Sequence, residues 1–469
     1  MDRIKNFIKN AGIYLIGSVF SKLIAFILLP LYTNCLMPDV MGEYDYAVTL
    51  MSFAAPVCFF QIWDAMFRFS FDYADENLKR KVVNNAFFVS FLGIFLYIAV
   101  FWGLHCFVKF EYTGFVFVYG ISAAVNYLYI YLARVYRRNV LFAVSGFINS
   151  LAAAVSNIIM ILYLDMGLDS LYLAAIAGAF LQCIIIEIRI RPFRYMDLKD
   201  FDSALSKRMM KFSIPLCVAT VSYWLLSGLT KIVIVNQLGT YENGLYAVTN
   251  KFAMLLNTVV SIFQFAWNET AYLANKDEDR QKLYLLAVKY VFHFVITASC
   301  MLLLISKIVF PYVIGDSYQA SMQYLPVSIL AVAFNAAAGF IGTIFSAEKQ
   351  TKYIFGTTIT AAVLNCVFGP VLTGFLGLHG AILALAISFG TLLGGRIFLL
   401  RRKLEIPVSS ENFLVCFLFI LTSAVFYLFH ETIITLLLLL LLIIFELNYH
   451  KENIYKAIGF IKGGRGERK

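Results

Sequence analysis

The chain has 469 residues, 61% of them hydrophobic and only 14% charged, with a mean hydropathy of +0.79. A soluble domain is nearer half apolar and a quarter charged, so this composition excludes a soluble globular protein and indicates a polytopic membrane protein. The formal net charge of +10 reads as orientation signal and anionic-lipid contact, and no nucleic-acid partner is needed to explain it.

Apolar runs of spanning length recur along the whole chain. They lie near 11–34, 43–69, 84–104, 113–133, 141–164 and 168–188, then near 212–236, 243–272, 284–310, 322–346, 353–375 and 378–396. A final pair follows near 412–429 and 431–447, with only "HE" at 430–431 between its members. The sequence therefore predicts an all-α membrane protein of about 14 transmembrane helices. The first run is too long for a cleaved signal peptide, and no small-x-small site follows it. The 8 cysteines are scattered without a CxxC pair, which predicts small core residues and neither a disulfide framework nor a metal site.

The connections alternate in charge. One set carries "RVYRRN" (134–139), "RIRPFRYMDLKD" (189–200), "NKDEDRQK" (275–282), "EKQTK" (348–352) and "RIFLLRRK" (396–403), together with both termini. The other set is short and contains only Lys109 and Lys307. The positive-inside rule then places both termini in the cytoplasm.

An internal repeat runs at a separation of roughly two hundred residues, the length of six spans. "MGEYDYAV" (41–48) is echoed by "NGLYAVTN" (243–250), setting Gly42 and Tyr44 on Gly244 and Tyr246. "FFQIWD" (59–64) is echoed by "IFQFAWN" (262–268), and Asn157 falls opposite Asn365. Six spans between equivalents give a parallel repeat. The expected architecture is two six-helix bundles (1–200 and 201–403) around a central cavity, an added helix pair (404–450) and a basic cytoplasmic tail (451–469).

Charges deep in the spans occur in matching helices of the two halves. Span 1 carries Lys22, span 2 carries Asp45, Asp64 and Arg68, span 7 carries Lys231, and span 8 carries Lys251 and Glu269. A charge at mid-membrane costs at least about 2.5–3.5 kcal/mol, so it faces a water-filled cavity or a partner. The economical arrangement is one cavity lined by spans 1, 2, 7 and 8. Lys22 lies roughly 17 Å from either end of its span, beyond snorkelling reach; cavity lining competes there with a buried partner such as Asp45 or Asp64. Lys251 reads as cavity lining, and Lys231 stands equally between cavity and snorkelling. For Asp64 and Arg68 a local i, i+4 ion pair is the simpler account, with a gating or substrate role as the alternative. Glu269 reads as a helix end at the inner surface, with ion coupling as the alternative. The repeat-matched amides Gln61 and Gln264, and Asn157 and Asn365, are explained by interhelical hydrogen bonds, with substrate contact as the second reading.

No phosphate loop, HExxH or GxSxG motif occurs, and the five histidines lack metal-ligand spacing. "DED" (277–279) reads as solvated loop charge. Loops on the less basic side are short, which disfavours an enzyme acting on lipid-linked glycans. Transport is the better class.

The stretch "NAGIYLIGSVFSKLIAFILLPLYTNCLMPDVMGEYDYAV" (10–48), with "FSAEKQTKYI" (345–354) and "LGLHGAILALAISFG" (376–390), resembles polysaccharide-exporter flippases of the multidrug/oligosaccharidyl-lipid/polysaccharide superfamily. The nearest likeness is to O-antigen and capsule repeat-unit flippases. The resemblance implies translocation of an undecaprenyl-pyrophosphate-linked oligosaccharide across a bacterial plasma membrane, by alternating access through a cationic central cavity. It implies membrane lipids and other polysaccharide-assembly proteins as partners. No cofactor is expected, and coupling to Na⁺ or H⁺ stays open. The family's cavity arginines are matched only in kind, by Lys22, Arg68 and Lys251, and a lysine binds phosphate without arginine's bidentate fork. In the similar lipid II flippases two extra C-terminal helices help form a lipid-tail groove, a role that 412–447 would share. Two rivals remain: a multidrug or toxin exporter, whose cavity would want uncompensated carboxylates, and a membrane-embedded glycan polymerase or transferase, which would want a large outer loop.

Overall fold

Hydrocarbon offers no hydrogen bonds, so a chain crossing it must satisfy its backbone internally, and this chain does so with helices. The computed structural model describes residues 23–73, 75–108, 110, 112–197, 201–274, 279–406, 411–429 and 431–449, and no strand occurs among them. The first half comprises α1 (Leu23–Cys35), α2 (Pro38–Cys58), α3 (Ile62–Ser70), α4 (Glu76–His105), α5 (Thr113–Val135), α6 (Asn139–Leu162) and α7 (Leu168–Ile190). The second comprises α8 (Ser203–Leu238), α9 (Thr240–Ala274), α10 (Arg280–Val313), a 3₁₀ helix (Asp316–Tyr324), α11 (Leu325–Ala347) and α12 (Thr351–Leu404). Then come α13 (Glu411–Leu428) and α14 (Thr432–Tyr449).

Eight of the described helices are long and apolar enough to cross a membrane, or ten if each of two bent pairs is one span. The expected count of fourteen is thus not reproduced among the described residues. Shorter apolar helices, Leu23–Cys35, Phe417–Leu428 and Thr432–Glu446, stand where spans 1, 13 and 14 were expected. Helix α12 is two helices joined at Gly377 (φ +57°, ψ −139°), a backbone region open to glycine, and so holds expected spans 11 and 12.

Span 2 is broken. Phe60 and Gln61 take left-handed φ values of 54° and 47°, and α2 and α3 meet at a 51° bend. Pro56 lies just before the break and cannot donate a backbone hydrogen bond. The repeat-equivalent stretch around Gln264 runs unbroken through α9. Span 7 bends by 46° between Ser203–Ser222 and Trp224–Leu238.

Packing follows the repeat. Helices α3 to α7 pack mainly within the first half, α8 to α12 mainly within the second, and α13 and α14 pack on α10. The halves meet chiefly through α2, which contacts both α8 and α9. Near the start of both helices Gly42 faces Thr240 and Gly244 faces Pro38: a Cβ on Gly42 would lie 1.9 Å from the Thr240 carbonyl oxygen, and one on Gly244 would lie 2.0 Å from that of Pro38. The two contacts exchange under the repeat, so a pseudo-two-fold axis passes through this crossing. It sits at the face opposite the basic loops. The same face is closed further where the Gly315 N–H donates to Thr33 Oγ1 (3.1 Å).

Candidate functional site

Of the residues that the repeat singled out, Asp45, Gln61 and Lys231 lie where the halves meet, and Asn157, Lys251 and Gln264 lie on the walls of two polar cavities. Lys231 of α8 reaches across to α2, with its ammonium 2.8 Å from Asp45 Oδ2 and 3.1 Å from Thr49 Oγ1. Asn243 of α9 donates to the Gly42 carbonyl at 2.7 Å. Asp45 and Lys231 are only 18% and 15% exposed, so removing one partner strands the other charge. Lys231→Met and Asp45→Leu are each expected to lower stability by about 1–3 kcal/mol, and the double variant by less than their sum. Thermal unfolding of the detergent-solubilised protein checks this: strictly additive losses would mean that the ion pair contributes nothing.

Further along the interface α2, α3 and α8 run side by side. The Trp224 indole donates to the Thr49 carbonyl (3.1 Å). At the break in span 2, the Thr220 hydroxyl donates to Gln61 Oε1 (2.9 Å) and Gln61 Nε2 donates to Asp64 Oδ2 (2.8 Å). The i, i+4 reading of Arg68 with Asp64 is corrected: Arg68 pairs instead with Asp72 at 2.6 Å, both largely exposed. Asp64 lies in the first turn of α3 and Arg68 in its last, so the helix dipole favours each charge where it stands, and Asp72 follows one turn beyond. Among the described residues, spans 1, 2 and 8 line one cavity together, while span 7 packs directly on span 2 and lines another.

The polar space is divided between the halves. The first cavity, of about 470 Å³, is bounded by α1, α2, α5, α6 and α7 and receives Lys251 from α9. Its polar lining among the described residues is four tyrosines (Tyr32, Tyr44, Tyr119, Tyr127), three asparagines (Asn126, Asn149, Asn157), Ser122, Ser150 and Lys251, and no carboxylate is among them. The Lys251 ammonium lies over the Tyr32 ring, 5.3 Å from its centroid, a cation–π arrangement. Asn126 and Asn149 donate to Gln182 Oε1 at 3.0 and 2.7 Å, which fixes one wall. Asn157 donates to the Tyr32 hydroxyl at 2.9 Å, while its own Oδ1 is buried without a hydrogen-bond partner among the described residues.

The second cavity, of about 230 Å³, is formed by the repeat-equivalent helices α8, α9, α11 and α12, and is lined by Gln264, Asn257, Asn335 and Arg396 among others. Gln264 donates to Asn268 Oδ1 (2.9 Å) and Thr343 Oγ1 (2.8 Å). Asn365 ties α12 to α8 through the Leu226 carbonyl (2.9 Å) and Thr230 Oγ1 (3.2 Å), as Asn157 ties α6 to α1. Sequence reasoning assigned Arg396 to a basic loop. It is instead 7% exposed inside the second half; "RIFLLRRK" hides it, because Arg401, Arg402 and Lys403 close behind do mark the helix end. Lys22 lies outside the described residues, and Glu269 is helical but its side chain is likewise outside them.

The C-terminal pair packs on α10 around an apolar cavity of about 350 Å³ lined by Leu304, Leu418, Leu438 and Phe445 among others. His293, on its wall, meets Glu446 at 3.0 Å. Lys307 donates to the carbonyls of Val425 (3.0 Å), Phe426 (2.9 Å) and Phe429 at the end of α13, where a cation complements the helix dipole.

Two repeated helical halves are joined face to face, with a polar cavity in each. The chain shares this fold with "Lipid II flippase MurJ, inward closed conformation" (TM-score 0.73, 15% identity, 94% of this chain and 99% of that one). It also shares it with an inward-facing multidrug resistance MATE family transporter of the MOP superfamily (TM-score 0.61, 16% identity, 85% and 94%). A MATE transporter of Vibrio cholerae, VcmN, is similar as well (TM-score 0.58, 11% identity, 88% and 100%). The model of the family described as "Polysaccharide biosynthesis protein" matches residues 7–267, more than half of the sequence, and the chain belongs to that family. No curated protein matches the chain in sequence.

Proposed function

We propose that this protein is a flippase that moves an undecaprenyl-pyrophosphate-linked oligosaccharide repeat unit, destined for an O-antigen-like or capsular polysaccharide, across a bacterial plasma membrane. Both termini face the cytoplasm in this reading, and residues 1–200 and 201–403 are the two lobes that rock about the Gly42–Gly244 crossing to give alternating access. The observation that carries it is the first cavity, which combines tyrosine faces, asparagine amides and one lysine without a carboxylate. Sugars stack on aromatic faces and exchange hydrogen bonds with amides, and the ammonium suits a phosphate. The partnerless Asn157 Oδ1 is an acceptor ready for a sugar hydroxyl. A cavity for organic cations would instead present acidic groups.

Among the sequence candidates, Lys251 serves as the cavity cation, with Lys22 as a second. Asp45 and Lys231 act together as an interlobe latch, and Gln61 and Asp64 pin the break in span 2. The inside-negative membrane potential favours outward movement of the anionic headgroup by about 2.3 kcal/mol per charge per 100 mV. The apolar cavity at α10, α13 and α14 is suited to polyprenyl chain.

The experiment is deletion of the gene, followed by comparison of lipid-linked glycans and surface polymer. Complete repeat units held on undecaprenyl pyrophosphate at the cytoplasmic face, with surface polymer lost, is the expected result. Unchanged polymer with new sensitivity to cationic drugs would move the protein to the exporter class and overturn the proposal.

A further inference from the structure

The wall that α5 and α6 give to the first cavity owes its polarity to a buried relay behind it. Gln182 of α7 is 2% exposed and Ser145 of α6 is fully buried. Asn126 Nδ2 donates to the Ala179 carbonyl (3.2 Å) and to Gln182 Oε1 (3.0 Å), and Asn149 Nδ2 donates to the same Oε1 (2.7 Å). Gln182 Nε2 in turn donates to Ser145 Oγ (3.3 Å), whose hydroxyl donates to the Phe142 carbonyl (3.2 Å). A backbone carbonyl only accepts. Ala179 therefore dictates that Asn126 turns its nitrogen away from the cavity, and Phe142 dictates that Ser145 offers Gln182 a lone pair. The two carbonyls fix the same orientation of Gln182 from opposite ends. Both hydrogens of Asn126 are spent behind the wall, and its Oδ1 is the atom left to the cavity it lines.

The two lining serines are oriented likewise. The Ser122 hydroxyl, one turn from Asn126 on α5, donates to the Tyr119 carbonyl (2.8 Å), and that of Ser150 on α6 donates to the Gly146 carbonyl (3.1 Å). A hydroxyl has one hydrogen, so both serines show the cavity lone pairs alone. Asn149 sets its own oxygen over the bare backbone of Gly178, where a Cβ would stand 2.4 Å from it. The wall so built chiefly accepts hydrogen bonds, while the cavity's cation, Lys251, comes from α9.

We infer that the first cavity selects, through this wall, a neutral sugar rich in hydroxyl or amide N–H donors over an acidic one, with Gln182 as its positioning residue. The inference rests on the flippase reading and names the class of sugar that the reading leaves open. Sugar hydroxyl and N–H groups find Ser122, Asn126 and Ser150 as acceptors. A carboxylate is itself only an acceptor, so against these lone pairs it is desolvated without a donor. The Lys251 ammonium is engaged by the phosphate, and the tyrosine hydroxyls, which donate or accept, discriminate neither sugar. At about 470 Å³ the cavity stands at the small end of ligand sites, so the selection falls on the sugar next to the carrier.

The test is flipping by the full chain in proteoliposomes, with undecaprenyl pyrophosphate bearing either glucose or glucuronate, which differ only in a hydroxymethyl against a carboxylate. No membrane potential is imposed, since the extra charge would itself respond to one. The parent chain is expected to move the glucose lipid faster. Ser122→Ala with Ser150→Ala removes two acceptors whose hydrogens bond only within their own helices, and should narrow that preference about 2–10-fold for each hydroxyl. Gln182→Leu frees Asn126 and Asn149 to turn and should narrow it too. Gln182→Glu, in its neutral form, keeps an acceptor for both asparagines and a donor for Ser145, and should keep the preference; a purely structural Gln182 would change both rates alike. A parent that moves both lipids equally, or a preference unmoved in the serine variant and in Gln182→Leu alike, overturns the selection and leaves the flippase reading standing. A parent that moves neither lipid overturns both.

Discussion

Lys251→Ala is expected to cut translocation of the lipid-linked glycan about 10–150-fold, with the protein still reaching the membrane in normal amount. Its ammonium lines the first cavity, and among the described residues no carboxylate pairs with it. A charge-assisted hydrogen bond to phosphate contributes about 1.5–3 kcal/mol, and each 1.4 kcal/mol is tenfold. Lys251→Arg keeps the charge and should retain most activity. Tyr32→Phe keeps the ring beneath the ammonium and removes only the hydroxyl that Asn157 reaches, so its effect should stay within about threefold. Appearance of the glycan on the outer face of right-side-out vesicles is the readout. Parental rates in Lys251→Ala would remove the cation from the mechanism.

Gly42→Ala and Gly244→Ala should each trap the protein away from the closed crossing. An added methyl on Gly42 would sit 1.9 Å from the Thr240 carbonyl oxygen, where ordinary contact begins at 3.4 Å, so α2 and α9 must part by about 1.5 Å (3.4 minus 1.9). The obstructing atoms on both sides are backbone, and no side-chain rotamer relieves the overlap. Separation also removes the Asn243–Gly42 hydrogen bond of 2.7 Å. A penalty of about 1–3 kcal/mol shifts the population of the closed state about 5–150-fold, and transport should fall because alternating access needs that state. The double variant should be little worse than either single one, since both methyls open the same crossing. Gly103→Ala, at a position with nothing within 4 Å, serves as the control. Distances between spin labels on the non-basic ends of α2 and α9 would report the change, and an unaltered distribution would show that the crossing tolerates the methyl.

The equivalences of the two halves are legible in the amino-acid sequence. The repeat pairs Gly42 with Gly244 and Asn157 with Asn365, and the folded chain sets the first pair against each other and gives the second pair matching interhelical bonds. Two things are not legible there. The motifs around Gln61 and Gln264 are alike in sequence, yet only the first is a helix break. Its left-handed residues cost about 1–2 kcal/mol each, and contacts from α8, which no local pattern announces, hold them. Arg396 resembles its neighbours in a basic run, and its inward course is set by Thr357, Thr358 and the bare backbone at Gly342.

Sequence alone determined the solvent, the helices, the basic face and the repeat. Each follows from quantities that add along the chain: apolar length against bilayer thickness, and charge against side. Tertiary structure alone decided that Lys231 spends its charge on Asp45, that Arg68 turns to Asp72, and that Lys251 and Arg396 stand on the walls of different cavities. A buried charge takes whichever partner the packing of helices brings within about 3–4 Å, and that partner is 186 residues away for Lys231. Spacing along one helix cannot rank such partners, because in a low-dielectric interior distance sets the energy of the pair.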